Sequence, residues 1–78
     1  MKTYTNFVSS NVKSLAYDEA AKEVFVTFKD KAGNATSTHA YRPIPEDTFT
    51  DRILNAPSVG SAVHQFLVKG TCERRKIS

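Results

Sequence analysis

The clearest pattern along the chain is an alternation at residues 22–29, KEVFVTFK, where Val24, Val26 and Phe28 fall on one side and Glu23, Phe25, Thr27 and Lys29 on the other. A period of two with β-branched and aromatic residues marks a strand. Residues 11–17, NVKSLAY, read as a strand before it, separated by the polar turn Asp18-Glu19-Ala20-Ala21. After it, Asp30-Lys31-Ala32-Gly33-Asn34 supplies a hairpin loop, with Gly33 and Asn34 tolerant of positive φ. Residues 35–41, ATSTHAY, complete the set as a weaker strand with Thr36, Thr38 and Ala40 on one face and Ser37, His39 and Tyr41 on the other. Three strands joined by short turns predict an antiparallel meander. The first ten residues read as an extended lead-in, ordered only if Phe7 and Val8 dock.

The period then changes. Pro43-Ile44-Pro45 stops the sheet, because proline cannot continue a central ladder. Pro45 can open a helix, Glu46, Asp47 and Asp51 suit its N-terminal dipole, and Phe49, Ile53 and Leu54 form an apolar stripe, predicting a helix over about 45–55. Ser58 is a good N-cap for a second helix. Val59, Ala62, Val63, Phe66 and Leu67 follow at the spacing of a core-facing stripe, with Lys69 in the last turn and Gly70 beyond it, predicting a helix over about 58–69. The expected fold is α+β, in the order β-β-β-α-α, with both helices packed on one face of the sheet. The Val24/Val26/Phe28 face is the more apolar and is the expected core, and Phe66→Ala is expected to cost about 3–5 kcal/mol as a core truncation.

Seventy-eight residues make one domain, with an ordered core over about 9–70. A chain of this size has a shallow core and little room for an enclosed pocket. Nothing resembles a signal peptide, no apolar run is long enough for a membrane span, and the single cysteine, Cys72, excludes an intrachain disulfide. A reducing, cytoplasmic setting is expected.

Charge changes the picture in one place. Residues 1–68 carry seven basic and seven acidic groups, so the whole net +3 lies in residues 69–78, where Lys69, Arg74, Arg75 and Lys76 face Glu73 alone. With no apolar stripe, residues 71–78 are expected to be a flexible basic tail, whose deletion the core should not notice.

Catalytic constellations are absent from the pattern. His39 and His64 stand alone, Cys72 has no CxxC partner, and three isolated glycines make no phosphate loop. No metal, cofactor or catalytic residue is expected, and the chain reads as a non-enzyme. The candidate binding residues are Phe25, His39 and Tyr41, expected to share a sheet face with Arg42 nearby, and the tail cations Lys69, Arg74, Arg75 and Lys76. Exposed, the aromatics would be a stacking platform for bases; half-buried, they would be ordinary sheet surface.

The segments VKSLAYD, EVFVTFKDKAG, HAYRPIP and LNAPSVGSAVHQFLVKG resemble the KTSC domain. The features carrying the resemblance are Tyr17-Asp18 after the first strand, the aliphatic and aromatic second strand, a central Y-x-Y followed by V-P, and an A-x-S-x-G at Ala56, Ser58 and Gly60. Two positions depart from it: His39 stands where the first central tyrosine is expected, and Ile44-Pro45 replaces V-P after an extra Pro43. The family takes its name from the C-terminus of some lysyl-tRNA synthetases and also occurs as small stand-alone proteins in bacteria and their phages. The resemblance implies a binding module with no known reaction and names no ligand; the association with tRNA synthetases makes RNA the first expectation. The alternative is a protein-binding module, phage- or prophage-borne, acting on a host protein. Neither reading fixes an oligomeric state.

Overall fold

The structure, a computed structural model, describes residues 2–5, 9, 11–70 and 72–77. Among these residues five strands form one antiparallel sheet in sequence order: β1 (Lys2–Tyr4), β2 (Val12–Asp18), β3 (Glu23–Lys29), β4 (Ala35–Arg42) and β5 (Glu73–Lys76). The three central strands are the expected meander. The loop between β3 and β4 turns at Gly33, φ +89°, and Asp30 Oδ1 accepts the amides of Ala32 and Asn34. Phe7 and Val8, the proposed docking residues of the lead-in, lie outside the described residues.

Two expectations about the chain ends are corrected. The sheet has five strands rather than three, and residues 73–76 are an edge strand rather than a loose tail. β5 lies along β4 with Tyr41 opposite Arg74 and Ala40 opposite Arg75. Its residues are all exposed. Backbone pairing and a side-chain ion pair, not apolar burial, hold it in place, so hydrophobic periodicity carried no sign of it.

Both helices lie within the expected spans, and each changes pitch along its length. Helix α1 (Glu46–Phe49) runs on into a π-helical turn, Thr50–Leu54, and α2 (Val59–Val63) into another, His64–Val68. Each widened turn closes with an i→i−5 backbone bond, Asn55 N–H to Thr50 and Lys69 N–H to His64. Pro45 is the extended N-cap of α1 rather than its first helical residue, and Ser58 caps α2 by accepting the Ser61 amide.

The widened turn changes which residues reach the core. A turn closed by i→i−5 bonds holds more residues than an α turn, so each step rotates the chain less. Val59, Ala62, Val63 and Leu67 are buried against the sheet, but Phe66 is rotated off it and is 43% exposed. Phe66 is therefore not the core anchor that simple α-helical spacing suggests.

The core lies between the helices and one face of the sheet. Leu15, Tyr17, Val24, Val26 and Tyr41 meet Ile44, Phe49, Ile53, Val63 and Leu67 there. Tyr17 stacks on Phe49 with ring centroids 4.9 Å apart, and its hydroxyl donates to the Ile44 carbonyl. That bond ties the segment entering α1 to the middle of the sheet.

Candidate functional site

The register between strands decides which candidate residues share a face. Directly paired residues in an antiparallel sheet lie on the same side. Tyr17, Val24, Tyr41 and Arg74 form one row across β2 to β5, and Leu15, Val26, His39 and Lys76 form the next. These rows face the helices. Ala16, Phe25, Ala40 and Arg75 form a row on the opposite, uncovered side. The expected grouping of Phe25 with His39 and Tyr41 is thus overturned: the alternation within each strand is as anticipated, but the pairing of β3 with β4 sets Phe25 opposite Ala40.

Tyr41 is a core residue, 1% exposed. Burial pushes its phenol up, with Arg74 working in the other direction. His39 is half-buried at the rim of the helix side, edge-on to Phe28 with centroids 5.7 Å apart. Its Nδ1 is buried with no hydrogen-bond partner among the described residues. Desolvation holds its pKa below the ordinary histidine value, and Arg74 and Lys76 push in the same direction. The Tyr41 ring is therefore out of reach of an incoming base, and the His39 ring is set against Phe28 on the helix side.

The uncovered face is built differently. Phe25 is half-buried at its centre, between Ala16, also half-buried, and Ala40, which is only 1% exposed. Thr27 and Thr38 pair beside it through their hydroxyls at 3.1 Å. Ile77, 47% exposed, follows β5 and bonds its amide to Thr38.

The two arginines on this face are already paired. Arg75 Nη2 donates to both carboxylate oxygens of Glu23, at 3.1 and 3.0 Å, and Arg42 Nε donates to Glu73 at 3.3 Å. Glu23, only 4% exposed, was read from sequence as a solvent-side residue; Arg75 covers it. Of the candidate cations, Arg42 and Arg75 therefore sit beside Phe25 but in ion pairs. Arg74 and Lys76 point to the helix side of the sheet, and Lys69 is exposed at the end of the second helical arm. The structure does not gather the eight candidate aromatics and cations on one surface.

The motif residues have structural tasks. Tyr17 anchors the Ile44 carbonyl, and Asp18 Oδ1 accepts the amides of Ala20 and Ala21 in the following turn. Ala56 packs against the core and Ser58 caps α2. At Gly60 a Cβ would lie 2.6 Å from Asn11 Oδ1 and 2.7 Å from Ser9 Oγ, so any larger residue would have to displace those two side chains.

The family model of the KTSC domain matches residues 8–69. The chain belongs to the KTSC domain family. A search of curated proteins finds no match. Among solved structures, the crystal structure of a KTSC domain protein from Yersinia pestis is similar, at 23% identity and a TM-score of 0.75, covering 99% of this chain and 100% of that one. At that identity the likeness establishes the fold alone. The five-stranded sheet with two helical arms is accordingly a KTSC fold, and in this chain Tyr17, Asp18, Ala56 and Ser58 serve its scaffold.

Cys72 packs against the core, its Sγ donating to the Leu67 carbonyl at 3.5 Å, and burial pushes its thiol up. That opposes thiolate formation. Among the described residues no group of three or more His, Cys, Asp or Glu side chains could hold a metal ion, and no helix is long and apolar enough to cross a membrane.

Proposed function

We propose that this KTSC domain is a non-catalytic binding module whose contact surface is the uncovered sheet face centred on Phe25. The observation that carries the reading is the half-buried pair Ala16 and Phe25 on the side of the sheet no helix covers, an apolar centre rimmed by the Arg75–Glu23 and Arg42–Glu73 pairs. A protein partner suits such a surface best. Protein interfaces combine an apolar, often aromatic, centre with a polar rim. A polyanion draws instead on uncommitted cations, and both arginines nearest Phe25 are engaged with carboxylates. A host protein met by a phage- or prophage-borne copy is one such partner, and the cytoplasm is the setting that the unpaired Cys72 favours.

RNA remains the second reading because Phe25 is an aromatic ring, half-buried, on the side of the sheet that the helices leave uncovered, and such rings can stack bases. The experiment is capture from lysate on immobilised wild type and Phe25→Glu, with and without nuclease. A stoichiometric protein held by wild type, lost with Phe25→Glu and resistant to nuclease supports the protein reading. Material lost on nuclease treatment supports RNA. A partner retained by Phe25→Glu removes the sheet face from the account.

A further inference from the structure

Strand β5 ends the sheet, and no strand lies beyond it among the described residues. Its pairing with β4 fixes which of its backbone groups are left over. The Ile77 amide donates to the Thr38 carbonyl at 2.8 Å, so Thr38 and Ile77 form a hydrogen-bonded pair. Such pairs alternate along an antiparallel ladder. Glu73 and Arg75 therefore turn their N–H and C=O groups to β4, and Arg74 and Lys76 turn theirs outward, to the open edge.

The same two residues carry the cations that β5 has to spare. Arg75 is engaged with Glu23, and Glu73 with Arg42. Arg74 and Lys76 are exposed, lie on the helix side of the sheet, and enter no ion pair among the described residues. Outward-facing backbone groups and uncommitted positive charge thus coincide along one edge. The other edge differs, because on β1 the Lys2 ammonium lies 3.9 Å from the Glu19 carboxylate.

Charge decides what can add to β5. Two copies of β5 paired through their outward groups would set Arg74 of one against Lys76 of the other, cation on cation, which is destabilising. A segment of opposite charge meets no such obstacle. Main-chain bonds to an exposed edge supply affinity, and the side chains at alternate positions supply specificity.

We propose that the open edge of β5 takes an extended acidic peptide segment as a further strand, with Asp or Glu at alternate positions directly opposite Arg74 and Lys76. The proposal does not depend on what binds at the Phe25 face.

Amide-resolved NMR titration with a short capped peptide alternating glutamate and valine, carried to millimolar peptide, tests it. In the free protein the Arg74 and Lys76 amides should exchange with solvent faster than the Arg75 amide. The peptide should slow the first two and leave the third as it was. Arg74→Glu combined with Lys76→Glu should weaken binding about tenfold or more, and the same peptide with lysine in place of glutamate should then bind. Lys69→Glu, an equal change of charge away from the edge, and Phe25→Glu should leave binding unchanged. N-methylation of the peptide's glutamate amides, the ones that face β5, should abolish binding, while N-methylation of its valine amides should be tolerated; this arm stands even if the double variant fails to fold. No binding at millimolar peptide overturns the proposal. So does binding indifferent to N-methylation of the glutamates, or a response of Arg74 and Lys76 to single-stranded RNA and not to the peptide.

Discussion

Arg75 reaches across β4 to hold both carboxylate oxygens of Glu23, a residue 52 positions earlier and nearly inaccessible to water. The last strand is tied by this contact to the centre of the sheet. Arg75→Ala should leave the Glu23 carboxylate without its partner, at a cost of about 1–3 kcal/mol. The lower end is favoured because the Arg75 side chain is 60% exposed and its charge is screened. Urea denaturation measures this, and deleting residues 72–78 should cost more than the point change. A truncated chain as stable as wild type would mean that β5 contributes nothing.

The second helical arm makes a paired prediction. Leu67→Ala should cost about 2–5 kcal/mol, as a buried truncation does, and Phe66→Ala less than about 1 kcal/mol. Thermal melts of the two variants decide it. The reverse ranking would place Phe66 in the core and remove the π-helical turn from the account.

Tyr17→Phe should keep the stack on Phe49 and remove only the hydroxyl that donates to Ile44. A buried carbonyl then loses its partner, at about 1–3 kcal/mol. Equal stability of Tyr17→Phe and wild type in urea would show that the bond is not needed.

What the sequence disclosed follows from which forces shaped each element. The three central strands and both helical arms bury apolar stripes, and Val24, Val26, Ile53 and Val63 announced them. β1 sends only Tyr4 to the core, against Phe49, and β5 is held by backbone pairing and ion pairs, so Lys2–Tyr4 and Glu73–Lys76 carry no periodic trace. The site was half legible. Phe25, Arg42 and Arg75 do share the uncovered face, but His39 and Tyr41 do not. Sequence gives the alternation within a strand and not the register between strands, and one step of register moves every side chain to the other face. The π-helical turns had no signal at all, and Phe66 was misplaced for that reason.

His39 gives the protein a pH dependence with a definite sign. Its folded pKa lies below the unfolded value of 6.5, so the unfolded chain binds the proton more readily. The contribution to stability is intact above the unfolded value and is lost as pH falls through the folded one. Burial is the leading cause, with Arg74 and Lys76 adding to it. Denaturation midpoints should fall as the solution is acidified below neutrality, and His39→Gln should flatten that slope. An unchanged slope would assign it to other groups.

The central claim is that binding occurs on the uncovered sheet face. Amide chemical-shift mapping of the labelled protein, titrated with whatever partner wild type captures and Phe25→Glu does not, tests it most directly. The account predicts perturbations centred on Ala16, Phe25, Thr27, Thr38, Ala40 and Arg75, with the helical arms unaffected. Perturbations confined to Val59–Val63 and the turn that follows, with the Phe25 row silent, would contradict it.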